Sequence, residues 1–258
     1  MNIAESILIV TGASSGIGAA TARELARRGA TVVLAARRAE ELNRMANELT
    51  RLGQKALAVP TDVGSRQSID HLVAQTVETY GRVDGVVNVA GIGGAGLIAQ
   101  ASDDVLEQMV MINLLAPARL IQAALPFMKH DGSAAIVNIG SIAGEMGTNG
   151  MYSATKFGLR GLSDSLRREL WTKHIAVSLI EPGYIRTALT ARTRTRRSGR
   201  GQGLSTSAAF VGRPCLLASH AAWCPSLSGH RGQTARQCAG TGTHPYLGMK
   251  GRDYAHTQ

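Results

Sequence analysis

Six short runs, residues 7–11, 31–36, 56–59, 83–89, 134–139 and 175–180, are almost continuously apolar, and longer amphipathic stretches fill the intervals between them. A strand with one face in water alternates apolar and polar residues, whereas a continuous run marks a strand buried on both faces. Strands of that kind alternating with helices predict a doubly wound, mostly parallel α/β sheet of the Rossmann type. The intervals carry helix signals. Residues 19–28 end at Gly29, and residues 39–52 put Leu42, Met45, Leu49 and Leu52 on one stripe before Gly53. Residues 65–80 open on Ser65, a candidate N-cap. A long helix is expected over about 103–130, bent near Pro117, and another over about 151–171.

In such sheets ligands bind beyond the carboxyl ends of the strands. The first strand runs directly into Thr11-Gly12-Ala13-Ser14-Ser15-Gly16-Ile17-Gly18. Glycines there allow a tight turn and close approach of a pyrophosphate to the following helix N-terminus. A glycine-rich turn without a ligand is the competing reading, and the α/β array behind it favours the cofactor. The second strand ends at Ala36-Arg37-Arg38 with no acid before Glu40. An acid would suit the ribose hydroxyls of NAD and an arginine the 2′-phosphate of NADP, so NADP(H) is favoured over NAD(H). Arg38 fits a solvated charge opening the next helix better than Arg37 does. Asp62 is read as an adenine contact or as a cap for the helix starting near Ser65. Asn88-Val89-Ala90-Gly91 ends the fourth strand, with Asn88 placed to brace the sheet.

Tyr152 and Lys156 lie one turn apart on a helix and so share a face. A free phenol titrates near 10, and a neighbouring positive charge favours the phenolate. Ser141 lies upstream and can hold a substrate oxygen. Asn113 lies among apolar neighbours in the long helix, as a buried structural amide or as part of a proton relay. Beyond the sixth strand, Pro182, Gly183, Ile185 and Thr187 form either a plain turn or a hold for a nicotinamide carboxamide.

The net charge is +10, yet its distribution argues against a nucleic-acid role for the body of the chain. Up to Arg192 there are 19 Lys and Arg against 17 Asp and Glu, and beyond it nine against one. Apolar periodicity stops at the same place, and Cys215, Cys224 and Cys238 all follow it. Residues 1–192 are read as one dinucleotide-binding catalytic domain and 193–258 as an atypical basic tail whose composition favours disorder. An out-of-frame translation explains these features together; a basic extension contacting nucleic acid is the alternative. No apolar run approaches the roughly 20 residues of a transmembrane helix. The N-terminus lacks the basic region of a secretory signal, so a cytoplasmic protein is expected. No metal site is expected.

Residues 7–189 resemble the short-chain dehydrogenase/reductase family through Thr11–Gly18 (TGASSGIG), Asp62, Asn88–Gly91 (NVAG), Asn113, Ser141, Tyr152–Lys156 (YSATK), and Pro182 and Gly183 followed by Thr187. The resemblance implies an oxidoreductase interconverting a carbonyl and an alcohol, with Tyr152 as general acid/base. Lys156 would lower the Tyr152 pKa and bind the nicotinamide ribose, Ser141 would hold the reacting oxygen, and Asn113 would anchor a relay water. Cofactor contacts are implied at Gly12, Ser14, Ser15, Gly16, Ile17, Gly18, Arg37, Asp62, Val63, Asn88, Ala90, Gly91, Tyr152, Lys156, Pro182, Gly183, Ile185 and Thr187. A homodimer or homotetramer acting on a small molecule is implied. An NADP-binding regulatory protein with impaired catalysis is the non-enzyme alternative. Val89 stands where the family commonly has a second Asn, and the tail shows neither the seventh strand nor the helix that normally flank the substrate site.

Overall fold

The apolar runs become β1 (Ile7–Thr11), β2 (Thr31–Ala36), β3 (Ala56–Pro60), β4 (Gly85–Asn88), β5 (Ala135–Ile139) and β6 (Ala176–Ile180). They form one wholly parallel sheet in the order β3-β2-β1-β4-β5-β6. This is a doubly wound α/β fold whose strand order reverses direction next to β1, and the reversal opens the crevice in which ligands bind. The computed structural model describes residues 2–93, 97–147 and 150–183, with the backbone of two short strands, β7 (Ile185–Arg186) and β8 (Thr206–Ser207). These belong to one compact unit, Met1–Trp223; the second unit, Cys224–Gln258, lies outside the described residues.

Alternation along each strand divides the core between two faces. Leu8, Val10, Val32 and Leu34 point to one face and pack with Ala22 and Leu25 of α1 (Gly16–Arg27) and Leu42 and Leu49 of α2 (Ala39–Arg51). Ile7, Ile9, Val33 and Ile136 point to the other, against Ile69 and Leu72 of α3 (Arg66–Tyr80) and Leu120 and Ile121 of α5 (Ala116–Ala124). Each such Leu or Ile contributes roughly 1.5–3 kcal/mol on burial, so both faces are needed, and the strands read as continuous apolar runs for that reason.

Helix α3 begins where the sequence predicts: the Ser65 hydroxyl accepts from the Ser68 N–H at 3.3 Å, and Gly81 closes the helix in the left-handed region. Strand β4 stops at Asn88, shorter than expected, because the Val89 N–H turns to the Thr11 hydroxyl. The expected helix over 103–130 is divided. It runs as α4 (Asp103–Val110), a π-helical turn over Met111–Leu115, then α5. The Ala116 N–H reaches back to the Met111 carbonyl, and Pro117 has no N–H to give the Asn113 carbonyl four residues earlier. By length and composition Asp103–Phe127 does reach a membrane span. It opens on Asp103 and Asp104, and α3 and α6 (Met151–Glu169) pack along it.

Strands β7 and β8 pair in parallel, apart from the main sheet. Otherwise the tail expected from residue 193 lies outside the described residues, as does Thr187.

Candidate active site

The glycine loop closes tightly. Gly12 has φ of +66°, and a Cβ there would lie 3.0 Å from the Ala90 nitrogen. A Cβ on Gly18 would lie 2.3 Å from the Gly12 carbonyl oxygen, so any side chain at Gly18 pushes α1 away from the turn. Thr11 ties this loop to the end of β4: its hydroxyl accepts from the Val89 and Ala90 N–H groups at 2.9 and 3.1 Å. Ser15 is the N-cap of α1, but its side chain makes no capping bond, and the first turn holds no acid. The first-turn N–H groups and the positive end of the helix dipole are therefore left open to solvent or to an anion. A pyrophosphate fits that environment, with Gly16 at φ of +56° leading into the helix and Ile17 packed on the core.

Arg37 is exposed and makes no hydrogen bond or ion pair with another described residue. Arg38 is an exposed charge opening the next helix, as expected, and it also makes contacts. It is the N-cap residue of α2, and its guanidinium reaches Glu41 at 3.2 Å and the Ser14 hydroxyl at 2.9 Å. It thus bridges the β2 exit and the glycine loop. Asp62 does not cap α3; Ser65 does. The Asp62 carboxylate accepts from the Gly64 N–H at 3.0 Å and stays exposed. Val63 lines a small cavity with Thr11, Asn88, Ala90 and Ile112.

Asn88 braces the sheet as expected. It lies in register with Asn138 and donates to its side-chain oxygen at 2.9 Å; Asn138 in turn donates to the Ser163 hydroxyl of α6. Asn113 is 1% exposed and clamps the segment after Gly91. Its Oδ1 accepts from the Ile92 N–H, and its Nδ2 donates to the Ile92 carbonyl, both at 2.9 Å, and to the Thr155 hydroxyl at 3.2 Å. Both amide protons are used. A relay water here would be taken by the main-chain carbonyl, which lacks its α-helical donor, or by the second Oδ1 lone pair. Gly91 permits the approach: a Cβ there would lie 3.2 Å from Asn113 Oδ1.

Ser141, Tyr152 and Lys156 come together where β5 ends and α6 begins. Ser141 is extended, and its Oγ accepts from the Ala143 N–H at 3.1 Å, which leaves its own proton for the Tyr152 phenol. Gly93 runs past the Tyr152 ring, where a Cβ would lie 3.8 Å from it. Lys156 is 6% exposed; its Nζ donates to the Ile139 carbonyl at 2.9 Å and stands 5.7 Å from the Tyr152 ring centroid. Burial pushes the ammonium down to about 8. Burial also pushes the Tyr152 phenol up, against a smaller downward pull from the Ser141 hydrogen bond. Burial thus outweighs whatever depression the neighbouring Lys156 supplies, and the phenol stands above its ordinary value. The phenol keeps its proton at neutral pH, and stabilisation of the phenolate is left to Ser141 and the ammonium once charge develops.

Pro182 and Gly183 follow β6, and the Pro182 carbonyl accepts from the Ile142 N–H at 3.1 Å. Ile185 lies in β7 by its backbone; its side chain and Thr187 fall outside the described residues. Sequence reasoning missed the Thr11 tie, the reach of Arg38, the Thr155 contact and the ion pair of Arg160 with Glu181. Only Thr11 and Thr155 lie inside motifs that mark them. The assembled site can hold a dinucleotide along the β1 and β4 ends and deliver a phenolic proton beside it.

A family model described as short chain dehydrogenase matches residues 6–198. An uncharacterized oxidoreductase of Staphylococcus aureus (strain MW2) is 38% identical over 191 residues, 73% of this chain and 82% of that one. Ketoacyl reductase HetN of Nostoc sp. is 38% identical over 190 residues, 72% of this chain and 66% of that one. Among solved structures, a variant of actinorhodin polyketide ketoreductase with NADPH superposes with a TM-score of 0.78 at 31% identity, covering 83% of this chain and 90% of that one. A dehydrogenase/reductase from Sinorhizobium meliloti 1021 gives 0.76 at 29% identity, covering 86% and 90%. Fold, site and similarity agree: the chain belongs to the short-chain dehydrogenase family and is an NAD(P)-dependent dehydrogenase/reductase.

Proposed function

We propose that the protein is an NADP(H)-dependent oxidoreductase interconverting a carbonyl and an alcohol, with Tyr152 as general acid/base. The observation that carries this is the buried Lys156 ammonium, held by the Ile139 carbonyl 5.7 Å from the Tyr152 ring, where Ser141 follows β5. When bound, the dinucleotide supplies or takes the hydride. Gly12, Ser14, Ser15, Gly16, Ile17 and Gly18 hold its pyrophosphate, Arg37 its 2′-phosphate, and Asp62, Val63, Asn88, Ala90 and Gly91 its adenosine half. Pro182, Gly183, Ile185 and Thr187 flank the nicotinamide. The NADPH in the ketoreductase at 31% identity supports the choice of dinucleotide.

In the reducing direction Ser141 holds the carbonyl oxygen and Tyr152 gives it a proton. General acid help of this kind contributes typically 10²–10⁴-fold. Lys156 favours the phenolate left behind and holds the ribose, and Asn113 fixes the Gly91–Ile92 segment with its carbonyl free to hold a relay water. The test is NADPH oxidation with a panel of ketones and aldehydes, run beside NADH. Turnover with at least one carbonyl and a higher kcat/KM for NADPH is expected; no turnover, or a preference for NADH, contradicts the reading.

A cytoplasmic homo-oligomer acting on a small molecule completes the reading. Val105 and Val110 on α4 and Phe157 on α6 are exposed, and they support a pairing face; a monomer in sedimentation would end that part. Residues 1–192 form the catalytic domain, and 193–258 are an out-of-frame or otherwise discontinuous tail. The family match ending at residue 198 supports that division.

A further inference from the structure

Arg160 lies one turn beyond Lys156 on α6, and its guanidinium grips Glu181, the residue between β6 and Pro182. Nε donates to Glu181 Oε1 at 3.2 Å and Nη2 to Oε2, a two-point fork, while Glu145 stands 3.8 Å away. The Glu181 side chain lies against two glycines of the Ser141 loop. A Cβ on Gly140 would lie 3.0 Å from Glu181 Cγ, and one on Gly144 would lie 3.1 Å from Glu181 Oε1 and 2.8 Å from the Lys156 carbonyl oxygen. The same loop is zipped to the β6 exit by Gly140 N–H to the Ile180 carbonyl, 2.7 Å, and Ile142 N–H to the Pro182 carbonyl, 3.1 Å. Ser141 sits between these two bonds.

We infer that the Arg160–Glu181 pair is a positioning clamp for the reaction, locking the Ser141 loop and the β6 exit onto the Lys156 turn of α6. Neither residue touches substrate. The ion pair, the two glycines and the paired backbone together set the Ser141 hydroxyl against the Tyr152 phenol. The inference rests on the roles proposed above for Ser141, Tyr152 and Lys156. A fork specifies distance and direction, whereas a lysine supplies charge alone.

The test compares purified wild type with Arg160→Met, Arg160→Lys and Glu181→Gln, reading kcat, NADPH affinity and melting. Misplacement by about 1 Å costs on the order of 100-fold in rate. Arg160→Met and Glu181→Gln are expected to lose about 10- to 100-fold in kcat while NADPH affinity stays within about threefold, with Arg160→Lys recovering part of the rate. A merely structural pair would lower melting and leave kcat per folded molecule unchanged. Arg160→Met with kcat within about twofold of wild type overturns the clamp. Should that variant not fold, Arg160→Lys and Glu181→Gln carry the same readout, and wild-type kcat in both overturns it. A Tyr152→Phe control separates the two claims. Turnover surviving there overturns the assignment of the acid, whereas an inactive Tyr152→Phe with an unimpaired Arg160→Met overturns the clamp alone.

Discussion

Replacing Lys156 by Met should make the protein's stability less dependent on pH at the alkaline end. The ammonium is buried, and its pKa falls from 10.5 to about 8. At neutral pH the lysine carries its charge in the folded and unfolded chain alike, so the full cost of burying that charge weighs on the folded state. As pH rises through 8 the folded state sheds the proton while the unfolded chain keeps it up to 10.5. The unfolded state then binds more protons, and stability rises with pH. For these two pKa values the gain from about pH 7 to about pH 9.5 is about 2 kcal/mol. Tyr80 and Tyr152, both pushed up by burial from about 10, act in the opposite sense only above this pH range. The difference between wild type and Lys156→Met therefore isolates the lysine. Met also leaves the Ile139 carbonyl without its donor, at about 1–3 kcal/mol, an offset that is constant with pH. Urea unfolding at fixed protein concentration, repeated across this range, should show the wild type gaining on the variant above pH 8. Parallel curves would refute the desolvated ammonium.

Arg37→Ser should lower kcat/KM with NADPH by about 10- to 100-fold, the worth of a charge-assisted hydrogen bond, and leave the value with NADH nearly unchanged; equal losses with both would assign Arg37 no phosphate contact. Gly18→Ala sets a Cβ 2.3 Å from the Gly12 carbonyl and should cost about 2 kcal/mol or more with loss of NADPH binding, read by melting with and without NADPH. For the tail, one of the other two frames of the coding DNA beyond residue 192 should read as an apolar strand and an amphipathic helix; if neither does, the tail is native.

The strands were legible because burial on both sheet faces leaves no room for polar residues, and no other arrangement of runs as apolar as 31–36 satisfies that. Ser65, Gly29 and Gly53 marked helix ends through local chemistry alone. The division of 103–130 was only half legible. Pro117 signals a bend, but the π turn that aims Asn113 at Ile92 arises where Gly158 lets α6 close on Leu114, with a would-be Cβ 2.9 Å from it. The catalytic residues stood in motifs, and their electrostatics did not. Lys156 was expected to depress Tyr152 because the two share a helix face, yet the strands and loops around α6 bury both groups. Arg38 and Ser14 are 24 positions apart, and Arg160 and Glu181 are 21; pairings at that range depend on where strands end in space.

Tyr152 is the group on which the proposed proton transfer depends most directly. Wild type and Tyr152→Phe should be compared for NADPH binding and for turnover with a ketone that the wild type reduces. Phe keeps the ring under Lys156 and beside Gly93 and removes only the hydroxyl. Unchanged NADPH affinity and a kcat lower by about 10²–10⁴-fold are expected. Turnover retained within about tenfold would contradict Tyr152 as the group that moves the proton.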